Sequence, residues 1–541
     1  MNTATALSNI TKTKNVINLQ QVPIKGREHE MIQNSDASYV FSISDKSFIE
    51  RFLIIGTVQG NYYTKGEALT NDSVKALHAI LQKDGKLFVD TIIEVSISGR
   101  AKNNDYALLA LAYAMAEGND KTKRYAAKSL SLVARTGTHL FHFVKFVTGF
   151  RGWGKVLKGA VIGWYTGKSD NDLAYQMVKY QSRDGWGHRD ILRLTHQNVS
   201  DNPVRNNLFK WTVRGLEALE KDAVIPDIIY AFEKAKTASK GDLVKLITDY
   251  HMSHEMLPTE AKNIPEVWEA LLPSMGATAL IRNLNKMTAV GLLKPLSNFT
   301  KDVYAKLNDE EFLKRGKVHP IQMLIALKQY SQGKGDKGSL IWTPNQAIVK
   351  GLDEGFYHSF KTVEPSGKNY LLGIDISSSM MGSKCVGAEI ISAAEAAMVM
   401  AMVTVRKEPW CQVMGFSHQF VDLEISAADT LESSMGKAYS QSFGSTNCSM
   451  PTQYARQQKL DVDTFVIYTD NETNYKDIHP SQSLALYRKE MNKPNTKNIV
   501  VGMSVNRFTI ADPKDVNSLD IVGFDSNTPS VISEFTKINV G

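Results

Sequence analysis

The sequence predicts two folds in one chain, an α-solenoid of stacked helix pairs followed by a doubly wound α/β domain. From about residue 70 to 360 apolar side chains recur at helical spacing and strand signals are nearly absent. After Pro365-Ser366-Gly367, short apolar runs alternate with helical stretches, the pattern of a mostly parallel sheet. At 541 residues the chain is also too long for one core, so two or more domains are expected.

In chain order, residues 1–35 are polar and aperiodic and read as a loose arm. Residues 36–364 form the helical-repeat domain and 365–541 the α/β domain. DSVKALHAILQKDG starts at a cap at Asp72 or Ser73 and stops at Gly85. NNDYALLALAYAMAEGND runs from a cap near Asn104 to a stop at Gly118. Further helices are predicted near 121–134, 153–165, 170–182, 204–220, 240–252, 264–273, 276–287, 319–330 and 344–360. No constant period is visible, so the repeats would be degenerate, and an irregular helical bundle is the rival arrangement. In the α/β part NYLLGID, WCQVMGF, TFVIYTD and TKNIVVGM read as strands. AEIISAAEAAMVMAMVTV, a stretch near 427–438, SQSLALYRKEMN and SVISEFTKI read as helices.

Charge is distributed unevenly. The whole chain carries a net +7, yet residues 121–215 alone hold 17 basic and 5 acidic side chains, whereas residues 365–541 hold 15 and 19. That concentration points to a polyanion partner for the helical part. No apolar run approaches the roughly 18 residues of a membrane span, and MNTATALSNITKTKNVINLQ has no apolar core of a secretory signal. Three cysteines, Cys385, Cys411 and Cys448, match no zinc spacing and argue for a reducing, cytoplasmic setting.

Two strands, LLGID and TFVIYTD, end in aspartate, Asp375 and Asp470, at the carboxyl edge where open α/β sheets bind ligands. Two carboxylates converging on one rim repel unless a cation lies between them. Asp375, Ser377 and Ser379 form Asp-x-Ser-x-Ser, whose alternate positions on an extended loop face one side, and Thr446 in GSTNC offers another oxygen. An all-oxygen donor set suits Mg²⁺. Alternatively Asp375 caps the following helix and the serines are turn residues. The later threonine loop and the second strand-terminal aspartate weigh against that. No histidine or glutamate in these motifs stands as a general base, so the site reads as binding rather than catalytic, with a metal-assisted hydrolase the less favoured reading. The arrangement resembles the von Willebrand factor A-type domain and its metal-ion-dependent adhesion site. By that resemblance Asp375, Ser377, Ser379, Thr446 and Asp470 hold Mg²⁺ or another divalent cation, and an acidic group of a protein partner completes its coordination. A metal-dependent adhesion or assembly module is therefore the second functional reading.

The most informative basic stretch is VKYQSRDGWGHRDILRLTH, residues 178–196. Gly185 and Gly187 flank Trp186 and break the preceding helix, and a new helix starts near His188. Arg189 and Arg193 then share a face at i, i+4, with His196 one turn on, while Ile191, Leu192 and Leu194 dock the helix. Lys168, Lys179 and Arg183 lie just upstream, and Arg135, His139 and Lys145 earlier. Cations in a row meet phosphates, and nearby aromatics stack on bases. A solvated basic face without a partner is the alternative for any such run, and a lone histidine such as His188 is more often structural.

Several strings place the whole chain. GNYYTKGEAL near residue 60, RTGTHLF, KYQSRDGWGHRDILRLTH, ALIRNLNKMTA, FKTVEPSGKNYLLGIDISSSM, YTDNET and FTIADP occur in one order, and the chain is similar in them to the Ro ribonucleoprotein autoantigen family, a TROVE module followed by an A-type domain. The resemblance implies a monomeric ring of HEAT-like repeats closed by the A-type domain, with oligomers on RNA. It implies RNA binding without catalysis, in RNA quality control or stress survival. Single-stranded 3′ ends of misfolded noncoding RNA would thread the hole, small Y-type RNA would bind the outer surface, and an exoribonuclease would be one protein partner. His188 in GWGH matches a histidine the family uses for RNA, and Lys168 a matched basic position. Contacts by Arg189 and Arg193 are inferred from their charge. The metal loop departs from the family pattern: Asn447 stands where an aspartate often follows the threonine, so weaker cation affinity is expected.

Overall fold

The computed structural model describes residues 20–33, 37–55, 66–98, 104–195, 201–316, 318–335, 339–362, 365–377, 380, 384–385, 388–417, 419–441, 446–469, 473, 477–502, 508–522 and 528–537. The chain divides into two compact units, Leu77–Ser359 and a second made of Met1–Ala76 with Phe360–Gly541.

The first unit is helical, as the spacing predicts. Asp105–Glu117 packs on Gly137–Phe150, and Gln346–His358 packs on both Asn298–Leu307 and Pro320–Ser331. Short polar residues start these helices. The side chains of Asn119, Thr136, Ser169, Asn202, Ser239, Ser297 and Asp309 each accept a hydrogen bond from an amide of the first turn. Such caps satisfy N–H groups that would otherwise be orphaned. Boundaries differ from expectation in places. The helix expected from Asp72 or Ser73 begins at Gly66 and ends at Lys83, and Gly85 opens the next helix, Gly85–Ser98. Gly85 is glycine for packing: a Cβ there would lie 2.0 Å from Thr122 Oγ1. The stretch 121–134 divides at Ser129 into Asp120–Lys128 and Leu130–Val133.

The second unit is built on a six-stranded sheet. Its order is Ser518–Val522, Lys497–Gly502, Thr464–Thr469, Asn369–Asp375, Trp410–Phe416, Phe420–Asp422, with all pairs parallel except the last. Asn369–Asp375 is central, with Ile374 opposite Tyr468 on one side and Asp375 opposite Phe416 on the other. Leu371, Phe465, Ile467 and Val500 are buried in its core. Gly373 interrupts this run because the helix Met450–Gln457 comes close: a Cβ would lie 2.9 Å from Pro451 Cγ. AEIIS, expected at the head of a helix, is a short strand, and the helix Ala393–Lys407 begins at a capping box of Ser392 and Glu395.

Residues 1–19 of the expected arm lie outside the described residues. Residues 20–33 are hydrogen-bonded into the α/β unit. Met31–Gln33 pairs with Tyr39–Ser42, which pairs in turn with Phe508–Thr509. Arg27 bonds Asp512, with Nη2 2.7 Å from Oδ1, and fully buried Arg51 bonds Asp520 at 2.5 Å. The polarity of this stretch therefore lies partly in contacts made over more than 450 residues of chain.

Candidate nucleic-acid interface and metal site

In the helical unit, the basic motif is a hairpin followed by a helix. Asp170–Lys179 ends, Ser182–Arg183 pairs with Trp186–Gly187, and His188–Thr195 follows. The two-residue turn is Asp184-Gly185, both with positive φ (55° and 80°), the conformation an Asp-Gly hairpin turn favours. Asp184 is held by His142, whose Nδ1 lies 2.5 Å from Oδ2. Asp190 accepts from the Gly187 amide at 3.0 Å. Ile191 and Leu192 are buried and dock the helix, whereas Leu194 is exposed.

Arg183, Arg189 and Arg193 are exposed and make no ion pair with any described residue. His196 lies outside the described residues. Exposed Arg135 donates to Ser96 Oγ at 2.8 Å. Half-buried Lys168 places its ammonium 3.9 Å from the centre of the Trp164 ring, and burial lowers its pKa. Its carbonyl, with that of Thr166, is gripped by buried Arg205, which also bonds Asp170. Lys179 stands beside Tyr175 and Tyr180, 5.3 and 5.5 Å from their ring centres. Lys145 pairs with Asp184 at 3.8 Å.

The two histidines are placed differently. His188 is buried among Phe141, Trp164 and Tyr165, and its Nδ1 shares a 2.7 Å hydrogen bond with the Tyr165 hydroxyl. Burial pushes its pKa down to about 4, so the ring is neutral. Burial, then the Arg135 cation, likewise holds His139 at about 4. Neither imidazole offers a positive charge at neutral pH. Sequence reasoning passed over Arg124 and Lys128. They border a groove of about 440 Å³ whose floor includes Gly159 and Gly163, between Asp120–Lys128 and Lys155–Thr166. The signal was present as the i, i+4 pair within KTKRYAAK.

In the α/β unit, Asp375 is fully buried at the end of the central strand. Its Oδ1 accepts from the Ser377 amide at 2.9 Å and its Oδ2 from Thr469 Oγ1 at 3.0 Å. Thr469, the last residue of the neighbouring strand, lies 3.9 Å through its hydroxyl from Cys448 Sγ. The Asn447 amide bonds the Ser417 carbonyl just after Trp410–Phe416. Asp375 and Ser377, both buried, thus sit at the carboxyl end of the central strand, and buried Thr446 comes from the connection between the helices Leu431–Tyr439 and Met450–Gln457. Ser379 and Asp470 lie outside the described residues. A buried carboxylate among hydroxyls is a hard-oxygen donor set, so these residues fit Mg²⁺. Asn447, also fully buried, is bonded through both ends of its amide. Nδ2 donates to Asp477 Oδ2 at 2.9 Å, and Oδ1 accepts from Gln20 Nε2 at 2.9 Å and Ser449 Oγ at 2.6 Å. Cys411 and Cys448 are free thiols, and among the described residues no helix is long and apolar enough to cross a membrane.

A helical-repeat unit with an exposed arginine face, joined to an A-type α/β domain, defines the class. Family models agree: residues 32–240 and 238–329 match the TROVE domain, and 369–536 the Ro60 vWA domain. The chain belongs to the Ro60 family. It is 35% identical over 533 residues to the RNA-binding protein RO60 of Deinococcus radiodurans, covering 98% of this chain and 99% of that one. It is 31% identical over 582 residues to the RNA-binding protein RO60 of Caenorhabditis elegans, covering 93% and 90%. The crystal structure of the Deinococcus radiodurans RO (RSR) protein superposes with a TM-score of 0.69, over 91% of this chain and 99% of that one.

Proposed function

We propose that the chain binds RNA through its helical unit and holds a divalent cation at the A-type rim for separate docking. The observation that carries the first part is the exposed set Arg183, Arg189 and Arg193, without ion pairs to described residues and mounted on a hairpin and helix locked by buried contacts. Guanidinium groups free of carboxylates exchange counterions for phosphates, and a rigid mount lowers the ordering entropy of binding. Lys168, Lys179 and Arg135 add to the cationic character of this unit, and the exposed Tyr175 ring beside Lys179 offers stacking surface. His188, neutral and enclosed, and His139, neutral and partly buried, hold that face in shape. Relatives of matching length called RNA-binding proteins support the same reading.

The ligands are small noncoding RNA of the Y type and single-stranded 3′ ends of misfolded noncoding RNA, and the protein acts in RNA quality control or stress response as a scaffold without catalysis. At the rim, Asp375, Ser377 and Thr446 hold the cation, with Ser379 and Asp470 by family resemblance. When bound, the cation supplies an open coordination position for a carboxylate of a protein partner such as an exoribonuclease.

Gel-shift titration of a structured RNA with and without a free 3′ tail tests the RNA part. The tailed RNA should bind at least tenfold more tightly. Equal affinity for the blunt RNA would remove the 3′-end assignment.

A further inference from the structure

Gln20 ties the N-terminal segment to the candidate cation rim. It is fully buried, although it belongs to a polar stretch. Its Nε2 donates to Asn447 Oδ1 at 2.9 Å and to the Ile478 carbonyl at 3.2 Å. Its Oε1 accepts from Thr473 Oγ1 at 2.6 Å. Its backbone amide donates to the Asp477 carbonyl, and its carbonyl accepts from the Tyr39 amide. One carboxamide thus joins two loops: one carries Thr446 beside Asn447, and the other follows Asp470 and contains Thr473 and Asp477. The Thr473 hydroxyl in turn lies 3.4 Å from the Thr446 carbonyl and accepts from the Cys448 amide at 3.4 Å.

We infer that Gln20 is a positioning residue for the cation site, so that cation affinity depends on the N-terminal segment being docked. This rests on the reading of the rim as a cation site. Hydroxyl ligands bind a hard cation well only when their oxygens are held within about half an ångström. The loop bearing Thr446 receives part of its restraint from a residue 427 positions away in sequence. Coupling of this kind is reciprocal: bound cation favours the docked segment as much as the docked segment favours cation.

The experiment measures Mn²⁺ affinity of the full chain by electron paramagnetic resonance, with thermal melting in chelator alongside. Wild type, Gln20→Ala, Gln20→Glu and Arg27→Ala are compared. Arg27 fastens the same segment to Asp512 and bonds no described residue of either loop, so it reports general loosening. The inference expects about tenfold weaker Mn²⁺ binding for Gln20→Ala and less than twofold for Arg27→Ala, with both melting lower in chelator. Gln20→Glu keeps the acceptor for Thr473 and removes the donor to Asn447; it is also expected to weaken binding, and it carries the test should the alanine variant not fold. Wild type that binds no Mn²⁺ overturns the cation reading and this inference with it. Wild-type binding that both Gln20 variants retain, or that Arg27→Ala loses equally, overturns this inference alone.

Discussion

Replacing Asn447 by aspartate is expected to destabilise the A-type unit at neutral pH. The native amide donates from Nδ2 to Asp477 Oδ2 at 2.9 Å, inside a fully buried side-chain position. Aspartate would face that carboxylate with an unprotonated oxygen. One hydrogen bond to a charged group is lost, about 1.5–3 kcal/mol. A like-charge contact appears whose Coulomb energy near 4 Å is about 4 kcal/mol at an effective dielectric of 20. Relaxation and proton uptake would absorb part of this, leaving about 3 kcal/mol. For a unit of this size that lowers the melting temperature by roughly 6–12 °C. The assay is thermal melting in chelator at pH 7.5. Adding Asp477→Asn reverses donor and acceptor with residue 447 but turns a donor on Gln453 Nε2, 2.8 Å from Oδ2, so it should recover only part of the lost stability. An Asn447→Asp protein melting within 1 °C of wild type at pH 7.5 would refute the reasoning.

Two further predictions follow from packing and titration. Gly373→Ala places a Cβ 2.9 Å from Pro451 Cγ and 3.2 Å from Ile467 Cδ1, and should lower urea stability by about 1–3 kcal/mol; an unchanged midpoint would show that the helix Met450–Gln457 can retreat. His188, His319 and His479 are each held at about 4, below their unfolded value of 6.5. The unfolded chain therefore takes up more protons between those values, so stability is full above pH 6.5 and falls as pH drops towards 4, by up to about 3 kcal/mol per histidine. His188→Gln should flatten the pH 5–6.5 part of that decline; an identical slope would contradict its buried, neutral state.

The parts legible in the sequence are those that periodicity governs. LLGID announced a buried strand ending in a carboxylate, because a short apolar run bounded by the Pro365-Ser366-Gly367 turn and the serines after Asp375 suits a strand with both faces covered. The four strands NYLLGID, WCQVMGF, TFVIYTD and TKNIVVGM followed from the same alternation, whereas Phe420–Asp422 and the helix Met450–Gln457 did not. What stayed hidden depends on contacts between segments distant in the chain. His188 opens a polar-looking helix, and its burial is decided by Phe141, Trp164 and Tyr165 from two other helices. Gln20 looks like any glutamine of a loose arm until Asn447 and Thr473 are placed around it. Ser518–Val522 carries Asp520, whose partner Arg51 lies 469 residues earlier, so its sequence alone gave no reason to call it a strand. Asn447 read only as a missing charge, while its spatial role as a donor to Asp477 has no local signature.

The central claim is that exposed guanidinium groups of the helical unit, without ion pairs to described residues, bind RNA phosphates. The most direct test is the slope of log affinity against log salt for a single-stranded RNA, in wild type and in the Arg183→Ala/Arg189→Ala/Arg193→Ala variant. Each phosphate contact to single-stranded RNA contributes about 0.7 to that slope, so the variant should lose about 2 from it while keeping its fold. A wild-type affinity indifferent to salt, or a variant with the wild-type slope, would contradict the account.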